Sequence, residues 1–274
     1  MTFVPVSAPA LIKPGRSSHL VAIASGKGGV GKTWLAITLA HALARAGART
    51  LLFDGDLGLA NVDVQLGLMP TRDLGGVLDG PLPLADAVIP YGSGGFDVIA
   101  GHSGSGLLAN QPRAQITCLI ERLRAVAQDY DHVILDLGAG LDRSVRQLSL
   151  AADTCIVVLT NEPTSLTDAY AFIKVRQRDG GDGPVSVVVN MAATVRDGQS
   201  AFRALQKACE SFLKLSPSLL GIVRQDAKVR ESIRNQMSIL SRYPNACAAL
   251  DVEGIATRLA ARAACSFTAS AAGA

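Results

Sequence analysis

Residues 25–33 read SGKGGVGKT and follow directly on the apolar run HLVAIAS. The pattern GxxxxGK(S/T), which in phosphate-binding loops stands between a strand and a helix, is satisfied by Gly26, Gly31, Lys32 and Thr33. The glycines let backbone N–H groups curl around phosphate oxygens, and the following helix directs its positive end at the same charge. The stretch therefore predicts a site for a phosphate-bearing ligand, and a glycine-rich turn without a ligand is the alternative.

The side chains of this loop suit a nucleoside triphosphate with its magnesium ion. The Lys32 ammonium can reach the β- and γ-phosphates, and the Thr33 hydroxyl is an oxygen ligand of the type that Mg²⁺ takes. We therefore expect ATP and Mg²⁺ as the bound groups. The residues of the loop expected to contact the nucleotide are Gly28, Gly29, Val30, Gly31, Lys32, Thr33 and Trp34.

Short aliphatic runs alternate with helical segments along the rest of the chain. The candidate strands are HLVAIAS, RTLLFD, FDVIAG, HVILDLG, TCIVVLT, VSVVVN and LLGIV. Their nearly unbroken apolar character indicates burial on both faces, as in a parallel sheet whose crossover helices cover each side. The predicted fold class is α/β, a doubly wound, mostly parallel sheet of about seven or eight strands flanked by helices.

A chain of 274 residues suits one such domain. Residues 1–18 are rich in proline without periodicity and predict an irregular extension, residues 19–262 the folded domain, and residues 263–274 a flexible tail. A first crossover helix is expected over residues 34–46, before Gly47. An amphipathic helix is expected over residues 250–263, packed on the sheet or, as the alternative, lying on a membrane surface.

Composition excludes several classes of protein. The net charge of +3 and the absence of a Lys/Arg run argue against an extended nucleic-acid surface. The five cysteines are scattered without metal-ligand spacing and predict reduced thiols. No signal-peptide pattern and no apolar run long enough to span a membrane is present, so a cytoplasmic location is expected.

Three aspartates follow predicted strands. Asp54 and Asp56 lie in LLFDGDLGLANVD, at the carboxyl end of a strand, where open α/β sheets bind ligands. Asp136 follows the apolar residues Val133, Ile134 and Leu135 in HVILDLGAG, and the carboxylate that lies near Mg²⁺ in phosphate-loop enzymes also follows an apolar strand. The alternative for Asp54 and Asp56 is a role in local turns or helix caps. No nucleophile–histidine set is recognisable, and phosphoryl transfer needs little beyond positioning and charge stabilisation.

A second lysine, Lys27, gives the loop the form KGGVGKT. This form resembles the deviant phosphate loop of the MinD/ParA group of ATPases. The resemblance implies that Lys27 reaches the phosphates of the opposite subunit in an ATP-bridged homodimer, whereas Lys32 serves its own; a solvated loop lysine is the alternative. It also implies that Asp56 positions the attacking water and that Asp54 supports the magnesium shell, although which of the two lies nearer the water stays open.

The resemblance therefore gives two sets of residues. The expected catalytic residues are Lys27, Lys32 and Asp56, and the expected magnesium residues are Thr33, Asp54 and Asp136. No arginine stands in an obvious finger position, so slow hydrolysis stimulated by a partner or by the opposite subunit is expected.

Two later loops resemble the segments of this family that contact adenine. VVVN ends in Asn190, and GIVRQD contains Arg224 and ends in Asp226. The family usually has proline at the position of Arg224, so this loop departs from the pattern. A buried asparagine that satisfies local backbone groups is the alternative for Asn190.

Longer strings narrow the resemblance within the family. DGDLGLANVDVQLGL, DVIAGHSGSG and NEPTSLTDAYAFIKV are similar to the FlhG/FleN type of flagellar-number regulator. This similarity implies an FlhF-type GTPase, flagellar C-ring components or a master transcription activator as partners. Residues 1–18 contain no DQAxxLR element, and the end, SFTASAAGA, is no basic membrane helix. Activation of FlhF and a transient place at the inner membrane or cell pole stay open.

Three other functions compete with this interpretation. A ParA/MinD-type role in DNA partition or division-site placement is opposed in its DNA-binding form by the weak basicity of the chain. An iron-protein role is opposed by the placement of the cysteines. A non-hydrolysing, ATP-sensing antiactivator of a transcription factor is opposed by Asp56 and Asp136.

Overall fold

The computed structural model describes residues 18–78, 80, 82–101 and 111–271, with side chains up to Ala263. The strands are β1 (His19–Ser25), β2 (Thr50–Gly55), β3 (Val88–Tyr91), β4 (Phe96–Ile99), β5 (His132–Ala139), β6 (Thr154–Leu159), β7 (Val185–Ala192) and β8 (Ser218–Arg224). The helices are α1 (Lys32–Arg45), α2 (Val62–Leu66), α3 (Leu74–Leu78), α4 (Arg113–Ala127), α5 (Arg143–Ala151), α6 (Pro163–Arg178), α7 (Val195–Leu213), α8 (Ala227–Arg234), α9 (Ile239–Arg242) and α10 (Cys247–Ala271), with a 3₁₀ turn at Leu84–Ala87.

The strands form one sheet in the order β3-β4-β2-β5-β1-β6-β7-β8. Every neighbouring pair is parallel except β3 and β4, which are antiparallel. Because β1 lies in the middle of the sheet, the loop that follows it opens at the centre of the carboxyl edge, where such sheets bind ligands. The predicted doubly wound α/β fold is confirmed.

The edge strand β3 is the one strand in the described residues that the aliphatic runs did not predict. Its sequence, VIPY, is short and partly exposed, and it contains Pro90. Proline has no backbone N–H to donate, and it is therefore confined to edge strands and bulges. The edge position explains both why the sheet tolerates this strand and why its sequence carries a weak signal.

Helices cover both faces of the sheet with separate apolar layers. On one face, Leu35, Leu39 and Leu43 of α1 are buried against the sheet and α10. The other face is covered by α4, α5, α6 and α7. Burying each such leucine stabilises the fold by about 1.5–3 kcal/mol, so these layers hold the sheet and its central loop in place.

The last helix is longer than its amphipathic pattern predicted. Val252, Ile255 and Leu259 are buried on the sheet, so the packing interpretation holds for this face. Gly221 of β8 permits the close approach, since a Cβ there would lie 2.4 Å from Cγ1 of Ile255. The helix continues past Ala263 to Ala271 because no Gly or Pro interrupts the segment. None of the described helices is long and apolar enough to cross a membrane.

Candidate functional site

The phosphate-binding sequence and the predicted carboxylates lie on adjacent strands. The loop follows β1, Asp54 lies near the end of β2, and Asp136 lies in β5 between them. In the strand register Asp136 pairs with Ile23 on one side and with Asp54 on the other. Separate stretches of sequence thus bring their polar groups to one point on the carboxyl edge.

The loop itself is held by close contacts that only glycine permits. Gly29 and Gly31 have φ angles of 78° and 85°, in the left-handed region that disfavours side chains. A Cβ on Gly26 would lie 2.1 Å from the carbonyl oxygen of Asp168, and one on Gly31 would lie 2.4 Å from Nδ2 of Asn190. The loop is therefore wedged between α6 and β7, with its backbone turned toward the start of α1.

Lys32 and Asp136 form the buried electrostatic centre of this site. The Lys32 residue is only 8% exposed, and its charge acts on the Asp136 carboxyl, which also hydrogen-bonds with Thr33. Burial nevertheless raises the pKa of Asp136 to about 6, and the Lys32 charge and the Thr33 hydrogen bond only partly oppose that rise. Among the described residues, Asp136 Oδ1 is buried without a hydrogen-bond partner.

Asp54 is equally buried and organises the loop that follows it. Its Oδ2 accepts hydrogen bonds from the backbone N–H groups of Asn61 (3.1 Å) and Val62 (3.0 Å), and its Oδ1 accepts one from Asp56 (3.2 Å). Burial, together with the Asp136 charge, raises the pKa of Asp54 to about 7. The structure thus shows the loop-ordering role that was the alternative for this aspartate.

These oxygen groups fit a magnesium ion. Two buried carboxyls with raised pKa values leave negative charge poorly compensated, and Asp136 carries an unpartnered oxygen beside the Thr33 hydroxyl. Mg²⁺ favours carboxylate and hydroxyl oxygens and keeps several waters. Thr33 and Asp136 would hold Mg²⁺, with Asp54 as a supporting charge.

Asp56 lies on the loop after β2, two residues beyond the buried Asp54. Its Oδ1 accepts hydrogen bonds from Gly58 N (3.3 Å) and Leu59 N (3.0 Å), so it closes a local turn. A Cβ on Gly138 would lie 3.3 Å from the same oxygen, which places Asp56 against the segment that follows Asp136. The side chain is half-buried, and its charge acts on the Asp136 carboxyl.

The two lysines of the loop lie in different environments. Lys27 is 29% exposed; its Nζ lies 2.5 Å from Oε2 of Glu162 and donates a hydrogen bond to Oγ1 of Thr164 at 3.1 Å. Glu162 is the residue before the first turn of α6, and its side chain is well exposed. An exposed ion pair of this kind contributes roughly 0–1 kcal/mol, so Lys27 is held by a contact that is readily exchanged.

A cavity of about 620 Å³ extends from the loop to α8. It is lined by Gly31, Trp34, Asn190, Met191, Arg224, Gln225, Asp226, Ala227, Val229, Arg230, Glu231, Ile233 and Arg234. Its volume suits the nucleoside end of a nucleotide, since small-ligand pockets span roughly 300–1,000 Å³. The α8 residues were not expected from the motifs, although the amphipathic pattern after Asp226 is a local signal for a helix there.

The three residues expected at the adenine all line this cavity, but their polar groups are engaged within the protein. Asn190 donates from Nδ2 to the Val30 carbonyl (2.8 Å) and accepts from Met191 N (2.9 Å). It therefore satisfies backbone groups, which was the alternative to a contact with adenine. The Arg224 guanidinium forms two 2.9 Å hydrogen bonds with the Asp251 carboxylate.

Asp226 is similarly occupied. Its Oδ1 accepts from Lys228 N at 2.9 Å, which caps α8, and its Oδ2 accepts from the Cys247 thiol at 3.1 Å. These three residues therefore shape the cavity wall, and direct contacts with a base stay a prediction.

The family CbiA, described as the CobQ/CobB/MinD/ParA nucleotide binding domain, matches residues 21–239. The chain belongs to this nucleotide-binding family. The match spans the loop, the three aspartates and the cavity, so the site described above lies within the family's domain. The predicted membership of the MinD/ParA family is confirmed.

Several relatives are similar along most of their length. The chain is 36% identical over 241 residues to the antiactivator FleN of Pseudomonas aeruginosa, covering 88% of this chain and 86% of that protein. It is 27% identical over 247 residues to the flagellum site-determining protein YlxH of Helicobacter pylori, covering 90% and 83%. It is 31% identical over 245 residues to the septum site-determining protein MinD of Bacillus subtilis, covering 87% and 88%.

Solved structures share the fold. The cell division ATPase MinD of Pyrococcus furiosus superimposes with a TM-score of 0.76 at 24% identity, covering 89% of this chain and 98% of that one. MinD of Pyrococcus horikoshii, complexed with Mg-ADP, gives 0.75 at 22% identity, covering 89% and 96%. At these identities the likeness concerns the fold alone.

Proposed function

We propose that this chain is a MinD-like ATPase whose ATP-dependent dimerisation regulates the number or placement of flagella. The observation that carries the proposal is the division of labour between the two loop lysines. Lys32 is buried beside Asp136 and serves the nucleotide of its own subunit. Lys27 is held outward by Glu162 and Thr164, where a second subunit can reach it.

The proposed reaction is hydrolysis of the terminal phosphate of ATP. The oxygen of a water molecule attacks the γ-phosphorus, the bond to the bridging oxygen breaks, and its electron pair leaves with ADP. Asp56 orients the water and accepts its hydrogen bond, and the proton ends on the released phosphate. Lys32 stabilises the charge on the phosphate oxygens, and a Mg²⁺ ion held by Thr33 and Asp136 would supply further charge neutralisation.

Slow turnover in the single subunit follows from the same contacts. Lys27 is tied to Glu162, and the Arg224 guanidinium is bound to the Asp251 carboxylate. Charge stabilisation at the phosphate therefore stays incomplete until a second subunit contributes its Lys27. We infer that dimerisation or a protein partner stimulates hydrolysis.

Light scattering tests the dimer switch directly. We expect wild type to change from monomer to dimer on addition of saturating ATP and Mg²⁺. Lys27→Ala should bind ATP normally but dimerise at least roughly tenfold more weakly, because one charge-assisted contact per site is lost. Lys207→Ala, which removes an exposed lysine on α7, is the matched control. Wild type that stays monomeric at saturating ATP contradicts the switch.

The flagellar role is supported by the relatives and by one surface. FleN is an antiactivator and YlxH a flagellum site-determining protein by name. A groove of about 450 Å³ between α6 and α7 is lined by Leu166, Thr167, Tyr170, Ala204, Leu205, Ala208 and Phe212. Phe212 is 77% exposed, and exposed apolar surfaces of this kind mark sites of protein interaction. We assign the groove to a flagellar partner, with the transcription activator first and FlhF-type GTPase or C-ring components next.

Replacing Phe212 should separate partner binding from nucleotide chemistry. In a pull-down from a flagellated host, Phe212→Ala is expected to reduce capture of the activator roughly tenfold or more, since aromatic anchors dominate interface energies. ATP hydrolysis by the isolated chain should be unchanged. Met69→Ala is the control, because Met69 is 95% exposed and is not among the residues that line this groove. Equal capture by both variants contradicts the assignment of the groove.

The expected location is the cytoplasm, with transient contact at the inner membrane or a cell pole. The α10 face predicted to be amphipathic packs on the sheet. Membrane contact by wild type is therefore expected to need a flagellar partner. Flotation with anionic vesicles and ATP, in the presence and absence of the partner, tests this.

A further inference from the structure

Trp34 carries a buried donor that the protein leaves unsatisfied. The residue lies in the first turn of α1, directly after Lys32 and Thr33, and is only 5% exposed. Its indole Nε1 is buried without a hydrogen-bond acceptor among the described residues. Buried tryptophan N–H groups usually find an acceptor, and leaving one unpaired costs free energy.

The surroundings of Trp34 indicate where an acceptor would come from. Trp34 lines the cavity of about 620 Å³ that runs from Gly31 to α8. Two polar side chains of the cavity wall are already paired within the protein, since Asn190 binds the loop backbone and Arg224 binds Asp251. Trp34 therefore lines a ligand-sized cavity while its buried indole N–H has no acceptor among the described residues.

The position along the helix separates Trp34 from the phosphates. Thr33 hydrogen-bonds with Asp136, and Lys32 acts on the same carboxyl, so these two side chains face the magnesium side. Each helical residue is rotated by about 100° from the preceding one, and Trp34 shares the apolar layer with Val30 and Ile233. The same cavity is lined by α8 residues, among them Val229 and Ile233.

We propose that the Trp34 indole N–H donates a hydrogen bond to the nucleoside half of the bound nucleotide, at a ribose oxygen or a ring nitrogen of the base. The inference rests on the proposed nucleotide-binding function and adds a nucleoside contact to the phosphate contacts of the loop. Binding then relieves the unpaired donor, so that part of the affinity for the nucleoside is lost wherever this N–H is removed.

The chain contains one tryptophan, so its amide-detected NMR spectrum contains one indole N–H signal. We expect Mg-ADP to move this signal and to slow its exchange with solvent, whereas magnesium pyrophosphate, which lacks the nucleoside, leaves it in place. Calorimetry should show that Trp34→Phe, which keeps an aromatic ring, weakens Mg-ADP roughly five- to tenfold and leaves pyrophosphate binding unchanged. A thermal melt of Trp34→Phe without ligand controls for folding.

The outcomes separate this inference from the function on which it rests. If Mg-ADP binds wild type with measurable heat but the indole signal does not move, the inference is wrong and the proposed function stands. The same holds if pyrophosphate moves the signal as far as Mg-ADP does, or if Trp34→Phe binds Mg-ADP as tightly as wild type. If wild type releases no heat with Mg-ADP, both the function and the inference fail.

Discussion

Lys32→Ala is expected to lower the affinity for Mg-ADP and Mg-ATP by at least roughly 100-fold, because a buried ammonium makes charge-assisted hydrogen bonds to two phosphates. The Lys32 residue is 8% exposed, so water cannot easily replace its charge. Its charge also opposes the rise in the pKa of Asp136, and without it that carboxyl becomes harder to ionise. Isothermal calorimetry measures the loss directly.

A folding defect must be separated from the loss of the phosphate contact. Lys32→Ala removes charge from a buried cluster, so its thermal unfolding should be compared with that of wild type without nucleotide. Lys32→Arg keeps the charge and is expected to retain part of the affinity if charge, and not shape, dominates. Binding of Mg-ADP by a folded Lys32→Ala variant within threefold of wild type would remove the basis for assigning the loop to phosphate.

The sequence was sufficient for the fold because the strands are buried on both faces. Runs such as TCIVVLT and VSVVVN have few polar residues, and only a central parallel sheet buries them completely. The edge strand at Val88–Tyr91 was not predicted because partial exposure and Pro90 remove the continuous apolar pattern. The far end of α10 was not predicted because its alanine and serine residues form no apolar stripe, although they allow a helix.

The site was predictable wherever its residues lie within one contiguous motif. The loop from Gly26 to Thr33 and the strand-end aspartates need no knowledge of distant contacts, because each motif follows a predicted strand. The pairing of Lys27 with Glu162 joins positions 135 residues apart, and nothing in the sequence specifies it. The Arg224–Asp251 pair and the hydrogen bond from Asn190 to the loop also join residues that are distant in the sequence. Only the structure shows that these polar groups are already hydrogen-bonded within the protein.

Asp56→Ala is expected to slow ATP hydrolysis roughly 100- to 1,000-fold while leaving ATP binding nearly intact, because a positioned base contributes about that much. Asp56 differs from the buried Asp54 and Asp136 because it is only half-buried, and it lies against the segment at Gly138. ATP then persists between the subunits, so light scattering should show a dimer that outlasts the wild-type dimer. Quench-flow release of phosphate measures the chemical step.

Loss of the turn that Asp56 closes is a second explanation for slow hydrolysis by Asp56→Ala. The variant Asp56→Asn separates this explanation from a role on the attacking water. Asp56→Asn keeps an oxygen able to accept from Gly58 and Leu59, but it loses the charge needed to draw a proton from water. If Asp56 acts on the water, Asp56→Asn and Asp56→Ala should both give an ATP-bound dimer that outlasts the wild-type dimer. If Asp56 only closes the turn, Asn should hydrolyse ATP like wild type. Asp54→Asn, which disturbs the bonds to Asn61 and Val62, should instead destabilise the whole loop, and this difference separates the roles of the two aspartates.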